Sequence, residues 1–166
     1  MILRRSHATA ALLVVVVCLL LSGCTSRSGP VADEAAVTNA VRAYNERLAE
    51  GMRTLDMNAL SGVATKEQAT SEYMQMAALG ETGVRLDAVL RDIVFDSVTF
   101  SGESSATVTT TETWDYRHLS IETSETVRVE QGVVYRLRYA LDLLNERWIV
   151  SGVVSADDAA SEEATP

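Results

Sequence analysis

The sequence contains few cysteines, few aromatic residues and few basic residues for its length. Its 166 residues include two cysteines and 5% aromatic residues. Two cysteines cannot form a framework of several disulfides, and no Cys/His cluster has the spacing of zinc ligands. The 14 basic residues against 23 acidic ones give a formal net charge of −9. This balance argues against a nucleic-acid partner, because phosphates are neutralised by clustered Lys and Arg.

Several catalytic signatures are also absent. The sequence has no glycine-rich phosphate loop, no Gly-x-Ser-x-Gly elbow and no EF-hand loop. We therefore expect neither a metal nor a cofactor, and a non-enzymatic function is favoured over an enzymatic one. The hydrophobic fraction of 47% is sufficient for a packed core, and the length predicts about one domain.

The N-terminus has the organisation of an export signal. Arg4 and Arg5 precede an apolar run at 11–21, and small residues follow it. The uncharged run at 6–24 approaches the length that spans a bilayer, so a retained membrane anchor is the alternative. The segment Leu21-Ser22-Gly23-Cys24 resembles the lipobox of bacterial lipoproteins.

That resemblance implies cleavage before Cys24 and attachment of lipid to its sulfur, with acyl chains such as palmitate. It places the mature protein on the extracytoplasmic face of a bacterial membrane, with the outer and the cytoplasmic membrane both left open. Two or more acyl chains anchor a soluble domain stably, whereas one binds only marginally. Cys18 lies inside the apolar run and would be lost with the signal peptide.

Composition divides the chain into four parts. Residues 1–23 are the predicted lipoprotein signal peptide, and 24–32 form a small, polar tether with a Gly-Pro breaker. The predicted folded domain covers 33–154. Residues 155–166 are acidic without a basic residue, which predicts a disordered, solvated tail.

Two helices and a short helical turn are predicted first. The first helix begins at Asp33 and ends at Gly51, and the turn follows Asp56. The second begins at Thr65 with a capping-box spacing and ends near Leu79. The predicted apolar stripes are Val37, Val41, Tyr44 and Leu48 on the first helix, and Ala69, Tyr73, Met76 and Ala77 on the second.

After Val84 the hydrophobic period changes from about 3.6 to 2, which predicts strands. The predicted strands cover 89–100, 106–119, 127–144 and 148–154, with turns at 101–103 and 144–147. On the third strand, every second residue from Val127 to Leu143 except Gln131 is apolar or aromatic, which predicts one buried face. Helices followed by antiparallel strands indicate an α+β domain.

The segment 135–150, from Tyr135 through Trp148 to Val150, resembles the closing hairpin of NTF2-like domains. A long alternating strand there ends in a tight turn and is followed by a strand that begins with Trp. The resemblance implies N-terminal helices packed on a strongly curved antiparallel sheet, a cone that often encloses a pocket. The superfamily includes enzymes, transport factors and interaction modules, so the fold does not identify the function.

Candidate pocket residues follow from the strand alternation. One is Glu112, which would act as a general base if an apolar surrounding raised its pKa, with tyrosines donating to a developing oxyanion. The favoured alternative is that these side chains fill the core or the rim of the sheet. The full candidate set is Glu112, Trp114, Tyr116 and His118 on the second strand, with Tyr135 and Tyr139 on the third.

A row of arginines is predicted on the polar faces of neighbouring strands: Arg117, Arg128, Arg136 and Arg138. It would face an anionic partner or lipid headgroups, or it would form cross-strand ion pairs. Ion pairs are favoured, because exposed pairs of this kind are common. Their predicted carboxylate partners are Asp115, Glu130 and Asp142.

Two functions remain open. The leading hypothesis is a membrane-tethered, extracytoplasmic binding or assembly module of the bacterial envelope, with a protein partner and no catalytic activity. The alternative is a small-molecule binder or enzyme that uses the interior of the cone. It predicts an open cavity of about 300 Å³ or more with Glu112 or His118 pointing inward, whereas a filled interior excludes it.

Overall fold

Two helices precede a four-stranded antiparallel sheet in this computed structural model, which describes residues 33–157. The predicted signal peptide, Cys24, the tether and residues 158–166 lie outside the described residues. No helix within 33–157 is long and apolar enough to cross a membrane. The elements are α1 Glu34–Thr54, a 3₁₀ helix Met57–Leu60, α2 Lys66–Glu81, β1 Val84–Ser101, β2 Ser105–Ser120, β3 Thr126–Leu144 and β4 Arg147–Ser155.

Helix α1 begins as predicted but continues past its predicted end. Asp33 caps it by accepting a hydrogen bond from the backbone N–H of Ala36 at 3.1 Å. The predicted end at Gly51 is wrong, because the helix runs to Thr54 and stops where Leu55 adopts a left-handed conformation. Gly51 serves close packing instead: a Cβ there would lie 2.7 Å from Cε of Met57.

Helix α2 is capped by Thr65 as predicted, and its buried face includes Met76 of the predicted stripe but not Tyr73. Tyr73 is 54% exposed, whereas Gln68 and Glu72 are buried. Both side chains bind the Tyr44 hydroxyl of α1, which donates to Glu72 Oε1 at 2.8 Å and accepts from Gln68 Nε2 at 2.9 Å. Gln68 Nε2 also donates to Glu72 Oε1 at 2.8 Å. The buried face of α2 therefore combines Met76 and Ala69 with two polar side chains whose burial is compensated by hydrogen bonds.

The four strands pair in sequence order, and all neighbours are antiparallel. The predicted turns are confirmed: Gly102 is in the first, and Asn145 and Glu146 form the tight turn between β3 and β4 with φ of 49° and 63°. β1 begins five residues earlier than predicted, and β4 ends one residue later, at Ser155. The α+β class, with helices packed on a curved antiparallel sheet, is confirmed.

A bulge in β3 reverses the predicted alternation of its first half. Trp114 pairs with Val133 and Tyr116 with Glu130, so β3 has one residue more than β2 between these pairs. Gly132 lies in the bulge with φ of 66°, and its N–H donates to Asp115 at 2.8 Å. The predicted burial of Val127 and Val129 is wrong, since they are 63% and 53% exposed. Glu130, predicted on the wet face, lines the concave side instead.

The core lies between the helices and the concave face of the sheet. Its largest fully buried apolar side chains are Tyr44, Tyr139, Leu60 and Leu141. The loop before α2 is joined to β4 by two backbone hydrogen bonds, from Thr65 to Val150 at 2.8 Å and from Val150 to Val63 at 2.9 Å. These contacts hold both helices over one end of the sheet.

Three arginines of the predicted row form ion pairs, as favoured, one of them with a predicted partner and two with other carboxylates. Arg117 pairs with Asp87, and Arg136 lies 3.9 Å from Asp96. Of the predicted acids, Asp115 pairs with Arg91, and Asp142 accepts a hydrogen bond from Ser105. Arg128 pairs with Glu130, which the bulge turns to the concave side.

The turn between β3 and β4 allows a test of its geometry. Left-handed conformations cost a residue other than glycine about 1 kcal/mol, and type I′ turns favour glycine at the second central position. We expect Glu146→Gly to raise the free energy of unfolding by about 1 kcal/mol in urea denaturation. Glu103→Gly is the control, because Glu103 lies in the other hairpin turn without a positive φ. Equal effects of the two substitutions would contradict the turn assignment.

Burial raises the pKa of Glu72 above its usual range, although its hydrogen bonds to Tyr44 and Gln68 lower it. The folded chain therefore binds this proton more tightly than the unfolded chain, so this contribution to stability decreases as pH rises through the raised pKa. We expect Glu72→Gln to remove that decrease, which makes the variant relatively more stable at pH 8 than at pH 4. Thermal unfolding across this range measures it.

The matched control is Glu81→Gln, which removes an exposed carboxylate from the same helix. It should leave the pH dependence of stability unchanged. If Glu72→Gln shows the same pH dependence of stability as the unmodified chain, folding does not raise the pKa of Glu72.

Candidate functional site

A cavity of about 400 Å³ lies between the inner faces of the helices and the concave face of the sheet. All six predicted pocket residues line it. The second-strand residues do so because alternate positions of β2 point to the concave face. The structure thus brings together Glu112, Trp114, Tyr116, His118, Tyr135 and Tyr139.

Glu112 lies at the base of this cavity, fully buried, and accepts four hydrogen bonds. Oε1 accepts from Asn45 Nδ2 at 3.0 Å, from the Tyr139 hydroxyl at 2.7 Å and from the Thr110 hydroxyl at 3.0 Å. Oε2 accepts from Trp114 Nε1 at 2.8 Å. The donors come from α1, β2 and β3, so the carboxylate joins these three elements. A general base needs a lone pair directed at its substrate, and here the protein occupies most of them.

The tyrosines at the base of the cavity act as hydrogen-bond donors. Burial raises the pKa of Tyr139, and the nearby Glu112 carboxylate raises it further. Burial likewise raises the pKa of Tyr44, whose ring packs edge-to-face against that of Tyr139 with centroids 6.1 Å apart. Both phenols therefore keep their protons at neutral pH, and both hydroxyls donate to carboxylates.

Three aromatic rings form one wall of the cavity. Trp114 and Tyr116 stack with centroids 6.1 Å apart and an interplanar angle of 12°, and Tyr135 meets Tyr116 edge-on at 6.4 Å. Trp114 is 5% exposed and Tyr135 is 39% exposed, so the wall extends from the interior to the surface. Burial raises the pKa of Tyr116, and the neighbouring Tyr135 raises it further.

His118 and Glu130 form a pair further along the same strands. His118 Nε2 lies 2.9 Å from Glu130 Oε1, and Arg128 Nε forms an ion pair with the same oxygen at 3.1 Å. The Arg128 side chain is 66% exposed and is not among the residues that line the cavity. Within 33–157, no three His, Cys, Asp or Glu side chains lie close enough to hold a metal ion.

Three polar side chains that line the cavity were not among the predicted pocket residues: Asn45, Glu72 and Glu130. Asn45 and Glu72 are polar residues on the buried faces of amphipathic helices, where an apolar pattern gives no signal for them. Glu130 was assigned to the opposite face because the bulge was not predicted. Gly132, inside an otherwise alternating strand, was the available signal.

No protein-family model matches the sequence, and no curated protein matches it. Solved structures do match. The intermembrane space region of the chloroplast protein ARC6 is similar at 19% identity with a TM-score of 0.63, over 76% of this chain and 98% of that one. A ketosteroid isomerase-like protein from Erwinia carotovora atroseptica is similar at 13% identity with a TM-score of 0.50, over 74% of this chain and 95% of that one.

At these identities the similarity concerns the fold alone. Helices packed on a curled four-stranded antiparallel sheet are shared with the ketosteroid isomerase-like structure. The chain therefore has the predicted NTF2-like α+β fold.

Proposed function

We propose that this chain is a lipid-anchored, extracytoplasmic module of a bacterial envelope that binds a small molecule in its interior cavity without transforming it. The observation that carries the proposal is the open cavity of about 400 Å³ into which a carboxylate, an imidazole and phenols project. Sites for small molecules typically have volumes of about 300–1,000 Å³, apolar walls and a few convergent polar groups. This cavity has that size and that composition.

The hydrogen bonds inside the cavity favour binding over catalysis. Glu112 holds four donors, and Tyr139 donates to Glu112 instead of pointing at a free acceptor. Groups bound to each other in this way orient a ligand by shape and charge, but they are not free to exchange protons with it. The leading and the alternative hypotheses thus combine: a tethered module whose ligand lies in the interior of the cone.

The extracytoplasmic location is proposed from the N-terminal sequence. The arginine pair, the apolar run and Cys24 form a lipoprotein signal, which directs a chain across the membrane and anchors it there. The similar fold of an intermembrane space region is compatible with this location.

An enzymatic function is the second candidate, and the His118–Glu130 pair favours it. A carboxylate that orients an imidazole beside a cavity is an arrangement used by general bases. The two candidates differ in the fate of the ligand. A binder returns it unchanged after long incubation, whereas an enzyme produces a new species visible in the NMR spectrum of the ligand.

A protein partner in the envelope is a further part of the proposal. β4 pairs only with the part of β3 from Leu137 onward, which leaves one edge of the first half of β3 unpaired within the described chain. Val129 lies on this segment and is exposed.

The partner is tested by crosslinking. A photo-crosslinker at Val129 should capture one defined protein, and a crosslinker at exposed Ser71 should not capture it. Equal capture at both positions would count against this partner.

The cavity is tested by filling it. Ala88 lines the cavity from β1, and Ala88→Phe should reduce the affinity of any cavity ligand by about tenfold or more, because the ring occupies the space that the ligand needs. A screen of neutral, cationic and anionic small molecules supplies the ligands. Binding is followed by the indole N–H signal of Trp114, while Trp148, which does not line the cavity, serves as an internal reference.

The control is Ala78→Phe, which adds the same ring at an exposed position on α2. It should leave ligand binding unchanged. If no molecule in the screen shifts the Trp114 signal, or if both variants bind equally well, the cavity is not the binding site.

The anchor is tested by Cys24→Ser. Without the sulfur that carries the lipid, the protein should lose its acylation, as measured by labelled palmitate. It should also leave the membrane fraction, as measured by fractionation. Full retention of the label on the variant would contradict lipidation at Cys24.

A further inference from the structure

Three carboxylate side chains line the cavity, and they come from three different elements. Glu72 enters it from α2, Glu112 from β2 and Glu130 from β3. Its lining includes no Lys and no Arg. A buried carboxylate normally has a cationic partner or a full set of hydrogen-bond donors, because burial of an unpaired charge costs several kcal/mol. Glu112 has such a set of donors, and Glu72 does not.

Glu72 has one carboxylate oxygen to which no group within 33–157 donates a hydrogen bond. Tyr44 and Gln68 both donate to Oε1, and no donor of the described chain reaches Oε2. Every fully buried side-chain polar atom within 33–157 has a partner. Oε2 is therefore not fully buried, although the residue as a whole is only 7% exposed, and Glu72 is among the residues that line the cavity. It is an acceptor without a donor in the wall of a ligand-sized space.

The walls beside this acceptor suit a cation with an apolar body. Aromatic rings attract cations through the negative potential of their faces, and the Trp114–Tyr116–Tyr135 wall presents three of them. Aliphatic side chains from α1, β1, β3 and β4 also line the cavity, among them Leu48 and Leu137.

We infer that the cavity binds a protonated amine with an apolar or aromatic body, with an N–H of the ammonium group donating to Glu72 Oε2. The inference rests on the proposed function and names its class of ligand. An anion would meet three carboxylates and no cationic side chain in the lining. A neutral molecule would leave the Glu72 charge without a counter-charge. The net charge of −9 adds a general attraction for cations.

Three molecules of nearly equal size separate these cases: 2-phenylethylammonium, 2-phenylethanol and phenylacetate. Each is titrated into the purified full chain, and the Trp114 indole N–H signal is followed with Trp148 as the reference. We expect the ammonium ion to bind about tenfold or more tightly than the alcohol, since hydrogen bonds to charged groups are the stronger ones. Phenylacetate should not bind.

Variants identify the carboxylate responsible. Glu72→Gln keeps an oxygen acceptor for Tyr44 but removes the charge, and it should lower the affinity for the ammonium ion about tenfold while leaving that for the alcohol unchanged. Glu81→Gln, which removes an exposed charge from the same helix, should change neither affinity. Thermal unfolding confirms that both variants are folded.

The outcomes distinguish this inference from the function on which it rests. If the alcohol binds as tightly as the ammonium ion, the amine class is wrong and the cavity remains a binding site for neutral molecules. If Glu72→Gln does not change the affinity for the ammonium ion, Glu72 does not bind the ammonium group and the inference is wrong. If the ammonium ion does not bind but other molecules of the screen do, the amine class is wrong and the cavity binds another class of molecule. If nothing at all binds, the inference and the proposed function both fail.

Discussion

The buried carboxylate of Glu112 is the interaction on which the rest of the structure depends. A charged group without a cationic partner costs several kcal/mol to bury, and hydrogen bonds to such a group return about 1.5–3 kcal/mol each. Here the four donors come from α1, β2 and β3. Because removal of any one element would leave the charge short of donors, the carboxylate fixes the position of α1 across the sheet.

The same arrangement determines the shape of the cavity. Glu112 and three of its four donors, Asn45, Trp114 and Tyr139, line the cavity. Trp114 also belongs to the aromatic wall, and Glu72 lines the cavity from α2. The bulge in β3 completes the site, since it turns Glu130 toward His118 on the concave side. The one extra residue of this bulge, where the N–H of Gly132 donates to Asp115, thus determines that a carboxylate faces the cavity at position 130.

The polar groups of the site explain where sequence reasoning succeeded and where it failed. The strand alternation of β2 was predictable, because Val108 to Tyr116 follow a period of two without interruption. The inner faces of the helices were harder to predict. Gln68 and Glu72 are hydrophilic residues whose burial depends on Tyr44, 24 and 28 residues away in the sequence. A hydrophobic pattern reports apolar burial only, so a polar face closed by distant partners is invisible to it.

By itself, the sequence determined the order of helices and strands, the caps at Asp33 and Thr65, the tight turn at Asn145–Glu146 and the side of β2 that faces inward. These features depend on residues close together in the chain, because local backbone geometry and the hydrophobic period of each element determine them. Only the tertiary structure decided that the cone contains an open cavity, that Glu112 is held by donors from three elements and that Glu72 keeps a free acceptor. Those features depend on which distant side chains meet, and hydrogen bonding between them has no periodic signature in the sequence.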